Sequence, residues 1–191
     1  LFPHRLYGIC SKFNIRLIQL SSDCVFSGKR GFYNEMDSPE PIDIYGRSKL
    51  LGEINNENCI TIRKSVIGHE LNSKKGLLEW FLAQKNKVEG YKKAIFSGLT
   101  VQELARVIDF YIIPNRNLKG IFHISGELIS KYDLLEMIAD VYKKSIEIVP
   151  NELISIDRSL NSSCFNNITG YKTKAWPDLI KSMHEFYLLH Q

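Results

Sequence analysis

The chain has 191 residues, 44% hydrophobic and 24% charged. That suits one globular domain, or one with a small appendage, and is too apolar for a disordered segment. A net charge of +4 is dispersed among acidic neighbours, which argues against a nucleic-acid partner. Cys10, Cys24, Cys59 and Cys164 form no C-x-x-C pair, excluding a zinc ribbon or disulfide framework and suiting a reducing cytoplasm. The five histidines show no metal-ligand spacing, so no metal is expected. No apolar run approaches the roughly 18–20 residues that span a bilayer, and no stretch reads as a secretory signal. A cytoplasmic protein with no membrane partner is expected.

In chain order, Pro3 suits a first helical turn, with Leu6, Ile9, Cys10 and Phe13 following at helical spacing. Residues 15–20 read as a short strand ending on Ser21-Ser22-Asp23. Residues 27–44, rich in Gly, Pro, Asp and Ser, read as a long loop, a class that is usually functional or disordered. A helix is expected from Ile44 to about Ile54, a strand from Cys59 to Arg63, and a loop from Gly68. Leu77, Leu78, Trp80 and Phe81 mark an amphipathic helix over 76–84. Thr100 with Glu103, and Ser130 with Asp133, are capping patterns ahead of two more helices. Strands over 121–124 and 146–149 flank the second of these. Strands alternating with helices predict an α/β fold with a largely parallel sheet.

Two segments carry chemistry: Ser22 at the end of the first strand, and Tyr45 with Lys49 on the helix that follows the loop. Residues i and i+4 of a helix share a face. A free phenol has a pKa of about 10, and a neighbouring cation lowers such a value by roughly 1–3 units, towards useful proton transfer at neutral pH. With nine tyrosines in the chain, a single Tyr-x-x-x-Lys arises readily by chance and decides nothing alone. A serine ending a strand is likewise common. Sheet-borne active sites, however, lie outside the carboxyl ends of strands, and there the Ser22 hydroxyl can donate to a carbonyl while Tyr45 moves the proton.

Taken jointly, Leu20-Ser21-Ser22-Asp23-Cys24-Val25-Phe26-Ser27-Gly28, Tyr33-Asn34-Glu35, Pro39-Glu40-Pro41 and the run from Tyr45 to Glu53 resemble the extended short-chain dehydrogenase/reductase family. The branch they are most similar to is the dTDP-4-dehydrorhamnose reductase-like proteins. Ile62–Gly68, Ser97–Thr100 and Asp157–Ser162 extend the resemblance across nearly the whole chain. It implies the C-terminal part of a Rossmann-like doubly wound parallel sheet, with catalytic residues in 1–68. A small α/β substrate-binding subdomain then occupies mainly 69–191, with some segments returning to the sheet. It further implies NADPH- or NADH-dependent reduction of a 4-keto-6-deoxy nucleotide sugar for surface polysaccharide synthesis. Ser22, Tyr45 and Lys49 are then the catalytic residues; Ser21, Tyr45, Lys49 and Ser65 meet the cofactor; and Ser22, Asp23, Cys24, Val66 and Arg158 meet the nucleotide-diphosphate sugar. Arg63 reads either as part of the loop against the nicotinamide or as a salt-bridge partner, the second being preferred. Cys24 stands where rhamnose-type reductases carry a tyrosine, and it reads first as a small buried thiol.

No Gly-rich dinucleotide turn follows a strand here, and the chain opens at Leu1-Phe2-Pro3-His4. By resemblance, roughly the first 80–100 residues of a family member, within the size of one domain, are expected to be absent, and the adenosine and pyrophosphate site with them. The first strand is then expected to expose an unpaired edge. A homodimer through the opening helix and the Tyr45 helix is a further expectation of the resemblance. An epimerase or dehydratase of the same family, or a regulatory subunit without turnover, are the alternatives.

Overall fold

The computed structural model describes residues 1–71 and 73–190; Asn72 and Gln191, both inside the second expected segment, lie outside that description. Helix α1 (Phe2–Lys12) leads into strand β1 (Leu17–Leu20), a 3-10 turn (Asp23–Val25), helix α2 (Ile44–Leu51) and strand β2 (Cys59–Arg63). Strand β3 (Val66–Ile67), helix α3 (Leu77–Ala83), and strands β4 (Lys87–Phe96) and β5 (Leu99–Thr100) follow. Helix α4 (Val101–Val107) runs on into a π-helical turn (Ile108–Ile112) and then strand β6 (Gly120–His123). Strand β7 (Ile129–Ser130), helix α5 (Lys131–Val141), strand β8 (Glu147–Asp157), and helices α6 (Ser163–Thr169) and α7 (Trp176–Leu189) complete the described fold.

Strands β1, β2 and β6 form a parallel sheet in the order β1-β2-β6, with Leu20 opposite Ile62 and Arg63 opposite His123. All five residues of β2 are buried, as expected of a parallel strand covered on both faces. Its one interior hydroxyl is satisfied: Thr61 donates to the Ile54 carbonyl at 2.8 Å and accepts from the Ile54 N–H at 3.1 Å. Strands β1 and β6 are the two edges of this sheet among the described residues. A second parallel pair joins β3 to β5. A third sheet runs β7-β4-β8, with β4 parallel to β8 and antiparallel to β7.

Both capping patterns hold in three dimensions. Thr100 accepts from Glu103 N–H at 3.4 Å, and Ser130 from Asp133 N–H at 3.0 Å. Three elements go beyond the sequence reading. Strand β8 continues to Asp157, well past the expected 146–149, through Pro150 and the exposed Leu153 and Ile154. Its partner β4 carries Lys87, Lys92 and Lys93 on its exposed side. These strands are held by pairing with each other, a tertiary effect that local preference does not register. Helix α7 buries Trp176, Leu179, Ile180 and Met183 at helical spacing.

One large apolar cluster lies between the sheets and helices α3 to α7. A smaller one gathers Val25, Phe26, Tyr33 and Leu160, with Leu50 packed against it. This second cluster anchors the long 27–44 loop. Phe26 and Tyr33 stack with ring centroids 4.2 Å apart, and the Tyr33 backbone exchanges hydrogen bonds with Ser159 and Asn161. The loop thereby returns the chain to α2 beside the end of β1.

Candidate active site

The β1–β2 ladder continues past its last strand residues, with Ser21 N–H donating to Ile62 and Asp23 N–H to Lys64 carbonyls. Ser22 is buried at the start of the 3-10 turn. Its Oγ accepts from Cys24 N–H at 3.1 Å and lies 3.0 Å from Asp23 Oδ1. Helix α2 begins at Asp43, whose carboxylate accepts from Gly46 N–H at 2.7 Å, a standard N-cap. Tyr45, in its first turn, is 52% exposed. Lys49 stands one turn on, its Nζ 5.8 Å from the Tyr45 ring centroid and donating to the Leu20 carbonyl at 3.3 Å. Lys49 therefore ties α2 to the last residue of β1. Gly46 makes the approach possible, because a Cβ there would sit 2.1 Å from the Cys24 carbonyl oxygen.

A buried ion pair fastens the far end of the same helix. Arg63 Nε and Nη2 donate to Glu53 Oε1 and Oε2, each at 2.8 Å, with both side chains about 5% exposed or less. Ser21 Oγ donates to Glu53 Oε1 at 2.6 Å. Ser21, expected at the cofactor, thus spends its hydroxyl on this ion pair and is fully buried. Arg63 takes the salt-bridge role of its two readings. Its Nη1 also donates to His123 Nε2 at 3.3 Å, so the other ring nitrogen carries the hydrogen and donates to the Tyr33 carbonyl at 3.0 Å. Burial, reinforced by the Arg63 charge, pulls the His123 pKa down to about 4.

Beside the turn opens a cavity of about 240 Å³. Asp23, Cys24, Ser65 and Val66 line one side, and Phe96, Lys131 and Arg158 another. Five expected substrate or cofactor residues from three stretches of chain therefore meet in one place. Tyr45 and Lys49 stand on α2, outside that lining. Cys24 is partly buried and lines the cavity, so it is not a plain core thiol. Its Sγ accepts from Arg158 Nη1 at 3.2 Å, and burial, reinforced by the Asp23 charge, raises its pKa. Arg158 Nη2 lies 3.5 Å from Asp43 Oδ2, while its Nε is buried without a partner among the described residues. Burial raises the Asp23 pKa, opposed by the Ser22 and Ser65 hydroxyls, the Cys24 thiol and the Arg158 charge. Burial lowers that of Lys64, with the Lys49 charge adding to the effect. Sequence reasoning missed Lys131, which reaches the cavity because α5 starts where β7 ends against β4. Among the described residues no group of side chains could hold a metal, and no helix is long and apolar enough to cross a membrane.

A parallel sheet with a hydroxyl at one strand end and a Tyr/Lys helix braced against it defines a Rossmann-like α/β protein. A family model described as RmlD substrate binding domain matches residues 1–179, and the chain belongs to that family. It is 50% identical over 52 residues to a probable low-salt glycan biosynthesis reductase, Agl14, of Haloferax volcanii, covering 27% of this chain and 17% of that protein. It is 31% identical over 147 residues to methionine adenosyltransferase 2 subunit beta of Xenopus laevis, covering 66% of this chain and 42% of that protein. The chain thus spans less than half the length of these relatives. Its fold matches the Bacillus anthracis dTDP-4-dehydrorhamnose reductase solved with NADP, at TM-score 0.78 and 20% identity, over 93% of this chain and 67% of that one.

Proposed function

We propose that this chain carries the proton-transfer and sugar-holding groups of an NAD(P)-dependent reductase of a 4-keto-6-deoxy nucleotide sugar, acting in the cytoplasm in surface polysaccharide synthesis. The observation that carries the reading is the bracing of α2 on the end of β1. Gly46 packs against the Cys24 carbonyl and Lys49 bonds the Leu20 carbonyl, two residues to either side of Ser22, which supports a joint role for Ser22, Tyr45 and Lys49. The donor set fits a nicotinamide ribose. An ammonium has three hydrogens; the Leu20 bond uses one and leaves two for ribose hydroxyls. When bound, NADPH or NADH supplies the hydride.

The chain's own residues do the rest. The exposed Tyr45 phenol gives its proton to the ketone oxygen as the alcohol forms, and Ser22 orients that oxygen, both acting where negative charge develops. Lys49 holds the ribose. Arg158 and Lys131 offer positive charge to the diphosphate in the cavity, where Arg158 Nε has no partner among the described residues. Arg158→Ala is expected to weaken dTDP binding by about 10- to 100-fold, the worth of a charged hydrogen bond. Calorimetric titration checks it, and equal affinity would remove Arg158 from the site.

A second reading, a regulatory subunit without turnover, is favoured by the likeness to methionine adenosyltransferase 2 subunit beta. A stoichiometric partner enzyme on purification, with no turnover of any keto-sugar nucleotide, would select it.

A further inference from the structure

A serine hydroxyl has one hydrogen to donate and two lone pairs with which to accept. The Cys24 N–H occupies one lone pair of Ser22, and Asp23 Oδ1 lies 3.0 Å from the same oxygen. An ionised carboxylate can only accept. While Asp23 is charged, the hydrogen between the two oxygens therefore belongs to Ser22 and points at Asp23. What Ser22 then offers a ketone is a lone pair beside a negative charge, which repels the ketone oxygen. A neutral Asp23 reverses the order. Its O–H donates into the second lone pair of Ser22, and the Ser22 hydrogen is released towards the substrate. The heavy atoms stay where they are and no covalent bond between them changes.

We propose that Asp23, in its neutral carboxyl form, turns the Ser22 hydroxyl towards the substrate oxygen and so acts as a positioning residue for the reduction. This rests on the reductase reading above. Asp23 is suited to the role because it both touches Ser22 and edges the cavity. The groups facing it are Cys24 on its own turn, Lys64 and Ser65 after β2, and Arg158 at the end of β8. Asp43 faces Cys24, and Lys49 faces Lys64. Burial is the largest influence and favours the neutral form, against the Ser22, Ser65 and Cys24 hydrogen bonds and the Arg158 charge. Because the folded pKa is raised, the neutral form persists to higher pH than in an ordinary aspartic acid. Turnover should then fall as pH rises through the Asp23 pKa.

The test joins two measurements. In carbon-13 NMR of the protein, the Asp23 carboxyl carbon is expected to titrate above the ordinary aspartate value of about 3.9, with the Ser22 Cβ signal following the same midpoint. In keto-sugar reduction with NADPH or NADH, the wild-type kcat falls through that midpoint. Asp23→Asn, whose amide donates to Ser22 at every pH, shows no fall at that midpoint. Asp23→Ala, with no donor, loses about tenfold at low pH, the worth of one hydrogen bond. An ordinary Asp23 titration, a Ser22 signal that ignores it, or a fall surviving at the Asp23 midpoint in Asp23→Asn overturns the proposal. A protein that turns over no keto-sugar defeats the reductase reading, and the two carbon signals still decide whether Asp23 controls Ser22.

Discussion

Replacing Tyr45 with phenylalanine is expected to slow keto-sugar reduction by about 100- to 10,000-fold, the usual worth of a positioned proton donor, while leaving stability almost untouched. The two effects separate because of where Tyr45 stands. It is 52% exposed, and among the described residues its phenol oxygen has no hydrogen-bond partner, so removing the hydroxyl strands nothing. Substitutions at such surface positions usually stay within about 0.5 kcal/mol. The check is kcat for both proteins beside their urea midpoints. A Tyr45→Phe variant that reduces substrate at the wild-type rate would remove Tyr45 from the chemistry.

The largest expected loss of stability belongs to Glu53→Ala. Glu53 accepts from two Arg63 nitrogens and from Ser21, and the Arg63 side chain is only 4% exposed. Its removal leaves a buried guanidinium without its counter-charge, a change worth about 3–5 kcal/mol. The ion pair Lys119–Glu57 is the control. It closes at 2.7 Å but with side chains 54% and 75% exposed, so Glu57→Ala should cost no more than about 1 kcal/mol. Urea denaturation compares the two. Similar small losses would show that the Glu53 pair does not hold α2 to the sheet ends.

Much of this arrangement is legible in the chain itself. Strand β2 is readable because a parallel strand needs an unbroken apolar run, and Thr100 and Ser130 announce their helices by capping spacing. Ser22, Tyr45 and Lys49 stand out because a motif preserves spacing that geometry needs. What the sequence hides is the partner chosen across space. Arg63 reads as a salt-bridge partner in the sequence, but nothing local names Glu53, ten residues earlier, as its counter-charge. Ser21 resembles its neighbour Ser22, yet successive residues of an extended chain face opposite ways, and its hydroxyl serves the ion pair. Strand β4 carries lysines and Gly90, which mask its pattern, and β8 runs past the legible 146–149 through Pro150, held by its pairing with β4. Helix α7 is missed in the sequence reading, although Trp176, Leu179, Ile180 and Met183 mark its buried face at helical spacing.

The central claim is that the groups around Ser22 and Tyr45 reduce a nucleotide-linked ketone at the expense of a nicotinamide. The direct test is to supply the protein with a dTDP-4-keto-6-deoxy sugar and NADPH or NADH, following cofactor oxidation by absorbance and the sugar by NMR. One cofactor oxidised for each ketone converted to an alcohol is the predicted result. Sugar converted with no net cofactor consumption, or no conversion by a protein that binds both ligands, would contradict it.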